Sequence, residues 1–73
     1  MEYAQYNDLE RGILDQVALV GVMVEEEDQN MTSMILGALY QKLESKKDSM
    51  RVEIYEIGKL CYDKTIRKIY DEN

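Results

Sequence analysis

The feature that most constrains this chain is an apolar periodicity of helical spacing that runs from Tyr6 to Tyr70 with no proline to interrupt it. A strand repeats every two residues and a helix every 3.6, so this spacing points to helix along nearly the whole sequence. At about 100° per residue, Tyr6, Leu9, Ile13, Leu14, Val17, Val20 and Val24 fall on one stripe, with Asp8, Arg11, Asp15 and Glu26 opposite. Asn7 suits the cap of this first helix, and Glu10, three positions on, is placed to reach back as in a capping box. Residues 1–6 are then a lead-in expected to fray. Leu19, Val22 and Met23 break the pattern: they lie on the otherwise polar side and leave the C-terminal half of the helix apolar nearly all round. That half needs a second surface to cover it.

The run Glu25-Glu26-Glu27-Asp28 is unfavourable at the negative end of one helix and favourable at the positive start of the next. The first helix is therefore placed over 7–27 and the second over 30–47, with a short turn around Asp28. In the second, Met31, Met34, Ile35, Leu36, Ala38, Leu39, Tyr40 and Leu43 cover well over half the circumference and leave Ser33, Gly37, Gln41 and Glu44 as a narrow polar strip. Such a helix is expected to sit between neighbours. Lys46 and Lys47 suit its negative end, and Asp48 or Ser49 is the expected cap of a third helix over 49–70. There Met50, Ile54, Tyr55, Ile57, Cys61, Tyr62, Ile66 and Ile69 share a wide face. Met50, Val52 and Ile54 alternate with Arg51 and Glu53 as a strand would, but Tyr55 breaks the alternation in favour of helix. Short, cap-marked links predict an all-α fold in a single domain over 1–73: an antiparallel helical hairpin with a third helix across it. Residues 71–73 are expected to fray.

A chain of 73 residues is below the size at which one core gives a comfortable stability margin, so this three-helix bundle is expected to use its core efficiently or share it by dimerising. Cys61 stands alone and forms no internal bridge, which favours a reducing, cytoplasmic setting. No basic leader opens the sequence, and the apolar run from Val17 to Val24 is far short of the ~20 residues a membrane span needs, so neither export nor a membrane partner is expected. Asn30-Met31-Thr32 has the form of a glycosylation acceptor and is read as chance. The net charge of −6 is unevenly placed: residues 1–30 carry eight carboxylates against Arg11 alone, while 31–73 carry seven against eight Lys or Arg. An acidic half repels phosphate backbones, which disfavours direct nucleic-acid binding.

Catalytic chemistry has little to work with. The chain has no His to move protons near neutral pH or to activate Cys61, which reads as a small buried hydrophobe. One Cys without His excludes the common zinc arrangements, and Asp28-Gln29-Asn30-Met31-Thr32 fails as a calcium loop because Ser33 stands at the glycine position and Leu39 at the bidentate glutamate. No metal, cofactor or enzymatic activity is expected. Gly12, Gly21, Gly37 and Gly58 are scattered singly within helical patterns, at a cost of about 1 kcal/mol each against Ala, so a close helix approach is expected at some of them.

Six Tyr with no Phe or Trp suit half-buried and interface positions, since the ring packs while the hydroxyl stays wet. Tyr55, Tyr62 and Ile69 recur at seven-residue spacing with Gly58 between them, a seam for another helix of this chain or of a partner. The favoured reading is a non-catalytic interaction protein, a small modulator or inhibitor, contacting another protein or a second copy of itself through Leu19, Val22, Met23, Tyr40, Tyr55 and Tyr62. An alternative is an acidic nucleic-acid mimic that blocks a nuclease or DNA-binding protein, as small acidic helical proteins of phages and mobile elements do, using Asp8, Asp15, Glu25, Glu26, Glu27 and Asp28. Asp8 and Asp15 lie about 10 Å apart along the helix, sparser than a phosphate row. A further alternative is a transcriptional regulator touching DNA through Lys59, Lys64, Arg67 and Lys68 of the third helix, although Glu53, Glu56 and Asp63 are interleaved there.

Overall fold

The computed structural model describes residues 5–71, and these contain three α-helices, α1 over Asp8–Glu25, α2 over Gln29–Ser45 and α3 over Val52–Asp71, with a 3-10 turn at Lys47–Ser49 between the last two. No strand occurs among the described residues. Residues 26–28 fold α2 back against α1, and α3 packs against both in a bundle of 38 × 20 × 16 Å. Arg51, just before α3, meets Glu10 near the start of α1, while Thr65 and Ile69 lie beside Met23 and Val24 near its end, so α3 runs in the direction of α1. This is the expected hairpin with a third helix laid along it. The residues expected to fray at 1–4 and 72–73 lie outside the described residues.

Cap chemistry sets the helix ends. The Asn7 side chain accepts from the Glu10 backbone N–H at 2.8 Å, and Glu10 Oε1 accepts from the Asn7 N–H at 2.9 Å, completing the capping box. At the other end of α1, the Asp28 N–H donates to the Met23 carbonyl and the Glu27 N–H to the Val24 carbonyl, the paired closure of a Schellman motif. Glu27 takes the left-handed position of that motif with φ 58°. A side chain with Cβ pays roughly 1–2 kcal/mol there and glycine does not. Glu27→Gly is therefore expected to raise the unfolding free energy by about 1 kcal/mol, read as a higher urea midpoint at unchanged slope. Asp28 caps α2, its carboxylate accepting from the Met31 N–H at 3.0 Å. The acidic run thus ends one helix and starts the next, as expected, with the boundary at Gln29 rather than Asn30.

The start of α3 differs from expectation. Neither Asp48 nor Ser49 caps it; both fall in the 3-10 turn, and Met50 is extended at φ −130°, ψ 156°. The helix begins three residues later than 49, with Arg51 at the cap position, its carbonyl accepting from the Ile54 and Tyr55 N–H groups. The Arg51 N–H itself donates to Glu10 Oε2 at 2.8 Å. A carboxylate 41 residues away therefore selects the boundary. Within the strand-like alternation Met50 is extended, and from Val52 onward the chain is helix.

Ile13 and Val20 of α1, Leu36, Leu39 and Leu43 of α2 and Ile54 of α3 are buried, with Tyr6, Leu14, Val17, Met50, Tyr55 and Cys61 packed around the cluster of Ile13, Leu39, Leu43 and Ile54. Gly58 is buried at the closest approach: a Cβ there would meet Leu43 Cδ2 at 2.8 Å and Ile13 Cγ2 at 3.3 Å. Of the wide apolar face of α2, only one stripe is used internally. Met31, Met34 and Ala38 remain exposed.

Candidate functional site

The tyrosines singled out from the sequence gather in the seam between α2 and α3. Tyr40 and Tyr62 lie with ring centroids 5.0 Å apart at an interplanar angle of 36°. The Lys59 ammonium sits 5.8 Å from both ring centres and is hydrogen-bonded to Asp63, which holds its pKa above the ordinary lysine value. Tyr55 donates its hydroxyl to Glu44 Oε2 at 3.0 Å, and that bond pushes the phenol pKa upward. Lys47 covers the Tyr55 ring at 5.5 Å. These rings fasten α2 to α3 within the chain, and only Tyr40 counts as exposed, at 40%.

Leu19 and Val22 project from α1 with 44% and 48% of their surface exposed. Met23 is half-buried and lines a groove of about 470 Å³ together with Val24, Asp28, Thr32, Thr65 and Ile69, where the hairpin turn meets the C-terminal part of α3. Sequence reasoning did not single out the most exposed apolar residues of α2 and α3: Met34 at 69%, Val52 at 71%, Leu60 at 60% and Tyr70 at 69%. The signal for Leu60 was present, because it stands between Glu56 and Lys64 at four-residue spacing on the outward face of α3. Met34 was hidden by the breadth of the apolar face of its helix.

Helical geometry brings part of this surface together. Leu9 of α1 borders Ala38, Gln41, Lys42 and Ser45 of α2 along a shallow groove, and Gly12 approaches Lys42 Nζ, so this is the side of the hairpin turned away from α3. Leu19 continues the Leu9–Gly12 side of α1, and Met31 and Met34 continue the Ala38–Gln41 side of α2, whereas Met23 lines the groove shared with α3. Since α1 and α2 are antiparallel about residues 26–28, these positions converge near the turn. The result is a methionine-rich apolar face.

The carboxylates do not form a row. Asp8 is exposed and pairs with Arg11, Asp15 lies two turns further along, and Glu25, Glu26, Glu27 and Asp28 are exposed around the hairpin turn. Among the described residues no group of three or more Cys, Asp or Glu side chains is placed to hold a metal ion, and no helix is long and apolar enough to cross a membrane. Cys61 is half-buried against the core; burial pushes its thiol pKa up, with Thr65 partly offsetting the shift, which leaves little thiolate at neutral pH. The chain matches no family model, and comparison with curated proteins and with solved structures gave no significant match.

Proposed function

We propose that this protein is a non-catalytic helical interaction module, a small cytoplasmic modulator or inhibitor that works by binding a partner protein through the outer face of the α1–α2 hairpin. The exposure of Leu19, Met31 and Met34, at 44%, 43% and 69%, carries the reading. Apolar side chains grouped on a helical surface generally mark a contact site, and methionine adapts its shape to the surface it meets. The absence of His from the sequence and the raised thiol pKa of Cys61 support a non-catalytic role, and the single Cys supports a reducing compartment.

The double variant Leu19→Asp, Met34→Asp tests it. Met34 is 69% and Leu19 44% exposed, so helicity by circular dichroism should stay within a few per cent of the parent. Capture of a partner from the native host's lysate should fall at least tenfold and should be nearly indifferent to salt between about 0.1 and 1 M, as apolar contacts are. Equal capture by parent and variant rejects the face. Capture that collapses with salt favours the acidic-mimic alternative instead.

A further inference from the structure

The outward face of α3 carries a pattern of its own, separate from the hairpin face. Glu53, Ile57, Leu60, Lys64 and Arg67 follow one another at spacings of four, three, four and three residues, which is the seam repeat of paired helices. Leu60 is 60% exposed and Ile57 38%, and Glu53, Lys64 and Arg67 are all exposed. Among the described residues, the side chains of Glu53, Glu56, Lys64 and Arg67 take part in no hydrogen bond or ion pair. The nearby acid Asp63 is already engaged by Lys59 at 3.4 Å.

Over Glu53, Ile57, Leu60 and Lys64 the order along the stripe is acid, apolar, apolar, base. Read in the reverse direction it is the complement of itself. Turned end for end about a point midway between Ile57 and Leu60, the stripe sets Ile57 against Leu60 of a second copy and Glu53 against Lys64 of that copy, each contact occurring twice. Under the same operation Glu56 falls opposite Cys61 and Arg67 opposite Met50, so the charge pairing rests on Glu53 and Lys64. A parallel arrangement instead places Glu53 against Glu53, Lys64 against Lys64 and Arg67 against Arg67, which repel.

We infer that α3 is the contact surface of a homodimer in which the two copies of the helix lie antiparallel about a two-fold axis between Ile57 and Leu60. Closed two-fold contacts need one patch to serve both subunits, and a stripe complementary to its own reverse meets that demand. The apolar centre is only two residues per copy, so the contact is small and the dimer weak, with dissociation at micromolar or higher concentration. This inference does not depend on what occupies the hairpin face.

Sedimentation equilibrium on the full chain, from about 1 μM to 1 mM, is the test. The average mass should rise from the 8.6 kDa of one chain towards twice that value. Leu60→Asp should hold the mass at one chain with helicity intact, and Lys64→Glu should weaken association by about tenfold because two symmetry-related pairs are reversed at once. Adding Glu53→Lys to Lys64→Glu in the same chain recreates both pairs with opposite sign and should restore most of the lost association. Leu19→Asp should leave the mass unchanged. A chain that stays monomeric throughout, a dimer indifferent to Leu60→Asp, or a double swap no better than the single one overturns the proposal. Self-association lost with Leu19→Asp but kept with Leu60→Asp would place the second copy on the hairpin and overturn it too.

Discussion

Gly58→Leu is expected to cost about 3 kcal/mol, a large share of the stability available to a domain this small. The Cβ alone would come within 2.8 Å of Leu43 Cδ2 and 3.3 Å of Ile13 Cγ2, and both of those side chains are fully buried, so neither can swing into solvent to make room. Extra volume must push α3 away from the hairpin and reopen the core. Gly21 and Gly37 provide the control, because a Cβ at either position meets nothing within 4 Å. Gly21→Ala and Gly37→Ala should each stabilise the chain by about 0.5–1 kcal/mol through helix propensity alone. Urea unfolding followed at 222 nm reads all three variants, and a neutral Gly58→Leu would mean that the helices are not closed on one another as described.

Glu10→Gln is expected to loosen the bundle and to make the acid limb of its stability curve shallower. Glu10 is 1% exposed, and its two carboxylate oxygens accept separately from the Asn7 and Arg51 backbone N–H groups at 2.9 and 2.8 Å. Those two bonds, Asn7 first, hold its pKa below the ordinary glutamate value of 4.5, and the Arg51 guanidinium adds to the effect. Because the folded-state pKa is depressed, the contribution is fully present above pH 4.5 and is lost as pH falls through the lower folded value. Glutamine keeps one acceptor oxygen and turns an NH₂ group towards the other donor, so one helix start loses its cap at every pH. Thermal midpoints measured from pH 7 down to pH 2 should therefore show a lower plateau and a shallower acid decline for Glu10→Gln. Parallel curves for Glu10→Gln and the parent would refute the linkage.

Local chemistry was legible in the sequence, and contacts across long separations were not. The capping box at Asn7 and Glu10, the acidic turn and the three amphipathic stripes all involve residues within a few positions of one another, and each has the expected outcome in the fold. The start of α3 was misplaced because its cap comes from Glu10, whose role looked complete once it was assigned to its own helix. Periodicity likewise ranked apolar positions by angle without saying how much of a wide face the neighbours would cover. Leu36, Leu39 and Leu43 are buried while Met31 and Met34 remain outside, although all five share the apolar arc of α2. The tyrosines went the other way: Tyr55 and Tyr62, offered by the sequence as a seam for the chain's own helices or for a partner, are engaged within the chain by Glu44 and Tyr40.

The two ends of the bundle are built from different materials. At one end Glu10 binds the starts of both α1 and α3, Asn7 donates to the Ser49 carbonyl, and Arg51 donates to the Gln5 carbonyl while its guanidinium lies 4.9 Å from the Tyr6 ring centre. At the other end the hairpin turn and the last turns of α3 border a groove of about 470 Å³. Amide exchange is therefore expected to be slowest at the Glu10–Arg51 end and fastest around Thr65 and Ile69, which a residue-resolved hydrogen-exchange profile reads directly.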